Sequence, residues 1–195
     1  MRALMLALAT VSSLAAGAST FAQTLTVNPN FAIDVTGFSG EPKILPDAVS
    51  NIESLNRGRV AAIAYNNVAG TPGYGVIIVA KGGSDITFWR LDKPTGQGVE
   101  LTGGSVPSSM MTWRNQRRAT AVGDAKVSLA DAIRTAEASQ GGAPAVVAGI
   151  ARSAAKPSSD VHAYMVGILK DGKLLPVAVD SDTGQRIGNP EVLAW

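Results

Sequence analysis

A run of residues that occurs twice limits what this chain can fold into. Leu45-Pro46-Asp47-Ala48-Val49 is echoed by Leu129-Ala130-Asp131-Ala132-Ile133, and Ile63-Ala64 by Ile150-Ala151. Tyr74-Gly75-Val76 is echoed by Tyr164-Met165-Val166. Asp92-Lys93-Pro94-Thr95-Gly96-Gln97 is echoed by Asp180-Ser181-Asp182-Thr183-Gly184-Gln185. The four spacings are 84, 87, 90 and 88 residues, so order and register persist through small loop changes. A period of this kind marks one supersecondary unit used twice.

Each copy reads alike. Ser128 with Asp131 three residues later can satisfy free N–H groups at a helix start. Leu129, Ala132, Ile133 and Ala136 follow at helical spacing, and Gly141-Gly142 stops the run. In the first copy Leu45, Ala48, Val49 and Ile52 make the equivalent stripe, with Pro46 in the first turn, where its missing N–H costs little. Three strand-like runs follow each helix: Arg59–Tyr65, Tyr74–Ala80 and Ile86–Leu91, then Ala145–Arg152, His162–Leu169 and Leu174–Asp180. Lys81-Gly82-Gly83-Ser84 and Lys170-Asp171-Gly172-Lys173 read as tight hairpin turns. The expected fold class is α+β: two similar units, each one helix packed on a three-stranded antiparallel β-meander.

The expected organisation is a leader over 1–22, a first unit with its lead-in over 23–102, a link over 103–126 and a second unit over 127–195. Gly103 to Ser109 has the composition of a linker. Phe31, Ile33 and Val35 alternate in the lead-in and predict an edge strand. Trp195 is expected to pack back onto the body.

The leader has one charge at Arg2, an apolar run from Ala3 to Ala16 and a small-residue exit at Thr20 and Ala22. That pattern predicts a cleaved secretory signal; its core is shorter than the ~20 residues that span a bilayer. The expected location is periplasmic or secreted. No later stretch reaches transmembrane length, so the mature chain is expected to have no transmembrane segment. The chain holds no cysteine, so it has no disulfide framework, thiol nucleophile or thiolate metal site, and no cysteine follows the leader to carry a lipid anchor. Lys and Arg number 17 against 15 acidic residues, a balance that argues against nucleic acid as a partner.

Val127-Ser128-Leu129-Ala130-Asp131-Ala132-Ile133, the middle-strand Tyr164-Met165-Val166 and Val179-Asp180-Ser181-Asp182-Thr183-Gly184-Gln185-Arg186-Ile187 together resemble the PepSY domain. The resemblance covers Val127–Ile187 and extends through the repeat to Leu45–Leu101, where Trp89 and Pro94 depart from the usual pattern. It implies a helix opening onto a meander and a non-catalytic binding or inhibitory module. Domains of this kind occur in propeptides of secreted metallopeptidases and in exported bacterial proteins. The resemblance brings no catalytic residues with it.

Residue types that carry chemistry are sparse. His162 is the only histidine; Ser159 and Asp160 are neighbours in sequence, which does not make a triad. Its expected place is a loop or a strand start that faces solvent. Asp180 to Gly184 opens like a calcium loop, with Glu191 at the twelfth position. But Arg186 falls at the seventh position, Gly184 offers no side-chain ligand at the fifth, and Pro190 precedes Glu191. A turn capped by Asp, with Gly in left-handed φ, is the expected structure. Gly70-Thr71-Pro72-Gly73 joins two strands and lacks the following helix that phosphate binding needs. No catalytic residue, metal ligand or cofactor site is assigned.

The densest basic segment is Trp113-Arg114-Asn115-Gln116-Arg117-Arg118, preceded by Met110-Met111. Arginines beside apolar side chains can recognise an acidic partner or an anionic surface. Met110, Met111, Trp113, Arg114, Arg117 and Arg118 are therefore the expected partner-binding residues. The expected function is an exported, non-enzymatic, protein-binding module of the peptidase inhibitor or regulator kind. The alternative is a small accessory subunit of a periplasmic or membrane-associated enzyme complex such as an oxidoreductase. The partner in either case is another periplasmic or secreted protein.

Overall fold

Ser128 shows how the local sequence sets the elements. In the computed structural model its backbone is extended, and its Oγ accepts a hydrogen bond from the Asp131 N–H at 3.0 Å. The helix opens at Leu129, as the capping pair predicts, and ends at Ser139, where Gly141 and Gly142 take φ of +75° and +82°. Its stripe of Leu129, Ala132, Ile133 and Ala136 is fully buried. Ser128→Ala removes one of the bonds to the free N–H groups and is expected to cost about 1 kcal/mol. Urea denaturation should show that loss as a lower midpoint with an unchanged slope.

The structure describes residues 25–26, 32–35, 37–40, 44–55, 57–68, 71–81, 83, 85–91, 101–111, 113–152 and 162–187. The leader 1–22, the turn residues Gly82 and Ser84, the Asp92–Gln97 repeat motif, Ser159, Asp160 and the tail 188–195 lie outside them. The described residues form an α+β protein with three α-helices: α1 (Ile44–Ser54), α2 (Trp113–Asp124) and α3 (Leu129–Ser139). Two short strands, β1 (Leu25–Thr26) and β2 (Ala32–Ile33), pair only with each other. The rest are β3 (Arg59–Val68), β4 (Thr71–Val79), β5 (Asp85–Leu91), β6 (Leu101–Pro107), β7 (Ala145–Arg152), β8 (His162–Lys170), β9 (Lys173–Asp180) and β10 (Arg186–Ile187). These eight make one antiparallel sheet in the order β10-β9-β8-β7-β3-β4-β5-β6.

All six expected strands are present, with ends shifted by at most three residues. Asp171 and Gly172 sit at φ of +50° and +70° between β8 and β9, which is how a two-residue hairpin matches the sheet's twist. The register carries one face across six strands. Val177, Val166, Ala148, Ile63, Val76 and Trp89 lie opposite one another in turn. The first five are at most 1% exposed, so the core centres on the β3–β7 seam. Gly73 to Val79 in β4 and Ala163 to Ile168 in β8 are buried at every residue, so these strands read as apolar runs rather than alternations. Helices α1 and α3 lie side by side. Arg134 of α3 reaches Asp47 and Ser50 of α1 at 3.4 and 3.3 Å.

Two expectations change. The segment 103–126, expected as a link, carries regular structure: most of β6, a short 3-10 turn at Ser108–Met110, and α2. Its glycines do not prevent strand pairing, because the ladder uses main-chain groups. Gly103 and Gly104 sit opposite Trp89 and Phe88 in that ladder. Among the described residues the lead-in does not pair with the main sheet; Leu25 and Thr26 pair with Ile33 and Ala32 in a separate ladder. Ile33 is nonetheless buried, at 1% exposure.

Candidate partner-binding surface

Arg59 opens β3 and reaches across to α2. Its guanidinium donates to the carbonyls of Val122, Ala125 and Val127, the latter two at 3.0 and 3.3 Å. The Val122 carbonyl belongs to the last turn of α2 and those of Ala125 and Val127 to the short link that follows it, so the cation also meets the negative end of the helix dipole. Val127 is fixed twice more: its N–H donates to the Ser181 carbonyl at 3.0 Å, and its carbonyl accepts from the Tyr164 hydroxyl at 2.8 Å. The exit of α2 is thereby tied to β3, β8 and the turn after β9.

That anchoring shapes a groove of about 650 Å³ between α2, the end of α1 and the β4–β5 turn. Val79, Met111, Ala119 and Val122 supply apolar wall, and Glu53, Lys81, Gln116 and Asp124 supply polar wall. Several of the polar groups are already engaged. Glu53 Oε1 accepts from the Val60 N–H at 2.9 Å, and Gln116 Nε2 donates to the Met111 carbonyl at 3.3 Å. These two bonds hold α1 to β3 and the start of α2 to the residues before it along the groove.

The six expected partner-binding residues divide. Met110 is 75% exposed, and Leu55 is the other large hydrophobic residue with high exposure among those described. Met111 is not a surface residue; it is 8% exposed and packs into the groove wall, so its backbone neighbour alone presents a thioether outward. Arg117 is exposed and Arg118 half-buried on α2. Trp113 and Arg114 open α2, and their side chains lie outside the described residues.

The chemical candidates are separate from this surface. His162 starts β8 as expected but is half-buried rather than solvent-facing. Its carbonyl accepts from Ser181 Oγ at 2.7 Å. Asp180 Oδ1 accepts from the Asp182 and Thr183 N–H groups, both at 2.8 Å, while Gly184 takes φ of +71°. This is the capped turn predicted from the sequence. Among the described residues no group of three or more His, Cys, Asp or Glu is placed to hold a metal ion. No helix among the described residues is long and apolar enough to cross a membrane.

Sequence reasoning passed over Gly58, Arg59, Glu53 and Glu137. Glu137 is buried and accepts from the Ala145 N–H at 3.0 Å. The readable signal was the spacing: Glu53 and Glu137 are 84 residues apart, the same as Leu45 and Leu129.

No protein-family model matches the chain, and no curated protein matches it. Among solved structures it is similar to a candidate lipoprotein from Clostridium difficile 630. The likeness covers 76% of this chain and 93% of the other, at 15% identity and a TM-score of 0.43.

Proposed function

We propose that this is an exported tandem PepSY-like protein that binds another protein and performs no chemistry of its own, acting as an inhibitor or regulator. In this reading α1-β3-β4-β5 and α3-β7-β8-β9 are two copies of one helix-plus-meander unit, joined along β3 and β7. Three correspondences support the tandem reading. Glu53 and Glu137, near the ends of their helices, each accept the N–H at the second or first residue of the next strand, Val60 and Ala145. The register breaks between Val60 and Ala62 in one meander and between Ala145 and Val147 in the other. Tyr74 and Tyr164 are each 1% exposed in the second strand of their meander. The leader-like residues 1–22 support export.

One observation carries the partner-binding reading. The outermost strand β6 runs directly into the exposed Met110 and then into the arginine-bearing turns of α2. A sheet edge offers main-chain hydrogen bonds, and a neighbouring apolar-plus-Arg patch offers an anchor. Photolysis of a Met110→p-benzoylphenylalanine variant in intact cells should give one discrete adduct with a second protein. That adduct should fade by most of its yield when Arg117→Glu is added. A reactive group at 110 that captures nothing, or captures regardless of Arg117, counts against the reading. Size-exclusion chromatography separates the two kinds of partner: a regulator also elutes free, whereas an accessory subunit elutes only in its complex.

A further inference from the structure

We propose that the groove beside α2 holds an apolar anchor residue of the partner, flanked in the partner's chain by one acidic and one basic residue; this rests on the partner-binding reading above. Its volume of about 650 Å³ falls in the range of clefts that take ligand-sized groups. The apolar wall comes from Val79 at the end of β4 and from Met111, Ala119 and Val122 around α2. Gly123 of α2 also lines the groove, and a Cβ built there would meet nothing within 4 Å. Leu55 and Met110 are the two large hydrophobic residues with high exposure among those described. They stand two residues after Glu53 and one before Met111, both of which line the groove. A pocket for one apolar side chain, with apolar surface beside it, is how a few anchors carry most of an interface's affinity.

Two charges choose what flanks the anchor. Lys81 on the β4–β5 turn and Asp124, the last residue of α2, line the groove from opposite walls. Both are exposed, and the side chain of neither makes a hydrogen bond or ion pair. The other charged residues named in the lining are already used, Glu53 by the Val60 N–H and Arg59 by three carbonyls. The repeated sequence shows what such a lysine does when it is engaged. Lys170 holds the same place in the β8–β9 turn and donates to the Gln140 carbonyl at the end of α3, at 3.2 Å. That bond puts a cation on a helix C-terminus. Lys81 makes no such bond, and its ammonium is left to the groove. One cation and one carboxylate on facing walls are complementary to a segment that carries both signs. A segment with two like charges meets repulsion at one wall or the other.

The test uses the full chain and three capped pentapeptides. They share a Leu-Phe-Leu centre and differ at their ends: one Lys and one Glu, two Lys, or two Glu. In NMR titrations the mixed peptide should shift the amide signals of 79–81 and 119–124. It should bind about threefold more tightly than either like-charged peptide, the value of a surface charge pair. Lys81→Glu should move first place to the two-Lys peptide, and Asp124→Lys to the two-Glu peptide, with circular dichroism unchanged in both. Gly123→Leu puts a side chain into the open space and should weaken all three peptides about tenfold or more. Its urea midpoint should not fall, since Leu is the better helix former. The same ranking in the unaltered chain and both charge variants overturns the proposal, as does undiminished binding to Gly123→Leu. So does a mixed peptide that, at millimolar concentration, shifts nothing in the groove. If cross-linking at 110 captures a partner while no peptide shifts the groove signals, the anchor proposal fails and the partner-binding reading stands.

Discussion

Raising the pH from 10 to 12 is expected to remove about 4 kcal/mol of folding stability, through two tyrosines. Burial pushes the hydroxyls of Tyr74 and Tyr164 up to about 12 from their ordinary value of 10.0. For Tyr74 the nearby Tyr65 adds to the effect of burial. For Tyr164 the Arg59 charge opposes it and Glu53 reinforces it. A raised tyrosine pKa means that the folded state holds its proton where the unfolded chain has lost it. Stability is therefore fully present below pH 10 and falls as the pH rises toward 12. Two units on each residue correspond to about 2.7 kcal/mol apiece in full, of which about 2 kcal/mol is lost between pH 10 and 12. Native domains are worth only about 5–15 kcal/mol, so the chain should unfold within this window or close above it.

The spectroscopic readout is unusually clean. The chain has three tyrosines, and the remaining one, Tyr65, is also raised, by burial and then by Asp34. The folded protein should thus show little tyrosinate absorbance near pH 10, whereas the protein in denaturant should titrate there in full. Tyr74→Phe and Tyr164→Phe should each flatten the loss of stability between pH 10 and 12 by about half. Tyrosinate absorbance that grows near pH 10 while circular dichroism stays native would mean the hydroxyls are in water and the burial is wrong.

Those same residues show what the sequence could and could not convey. Tyr74 and Tyr164 were legible as a repeated pair in the middle strands, and the strand boundaries followed from apolar runs bounded by Gly and Lys. Helix α3 was legible down to its Ser128 cap, because capping is a matter of one side chain and the N–H three residues on. The strand β6 was not. Gly103-Gly104-Ser105 has no side-chain signature of a strand, and its pairing depends on Phe88 and Trp89, which lie far away in sequence. The place of α2 was hidden for a related reason. It is fixed by Arg59, 63 residues before the Val122 carbonyl it caps, and a helix-end cation supplied from a strand leaves no local pattern. The basic segment was correctly seen as a surface feature at Arg117, but sequence could not separate Met110 from Met111. Neighbouring residues at the entrance to a helix point in different directions, and only packing decides which is buried.

Gly58→Ala is expected to be the most damaging single-methyl change, at about 3 kcal/mol or more. Gly58 sits at φ of +142°, a region that L side chains rarely occupy. A Cβ there would run into the backbone carbonyl of Val79, with Ala80 Cα 3.0 Å away. Backbone in a paired strand cannot swing aside as a long side chain can, because Val79 is held opposite Arg59 in the β3–β4 ladder. Strain in φ contributes about 1–3 kcal/mol, and the collision adds an overpacking cost of similar size. The consequence should also travel. Gly58 precedes Arg59, so displacement of this corner loosens the guanidinium from the carbonyls of Val122, Ala125 and Val127. Hydrogen exchange in 119–127 should therefore speed up in Gly58→Ala more than exchange in α3, which has its own cap at Ser128. Gly104→Ala is the control: it adds the same methyl where nothing lies within 4 Å, and it should move the urea midpoint little. Equal midpoints for the two variants would show that the corner at Gly58 is loose enough to accept a side chain. In that case Arg59 would not be positioned by the turn before it, and the anchoring of α2 would have to come from Tyr164 and Ser181 alone.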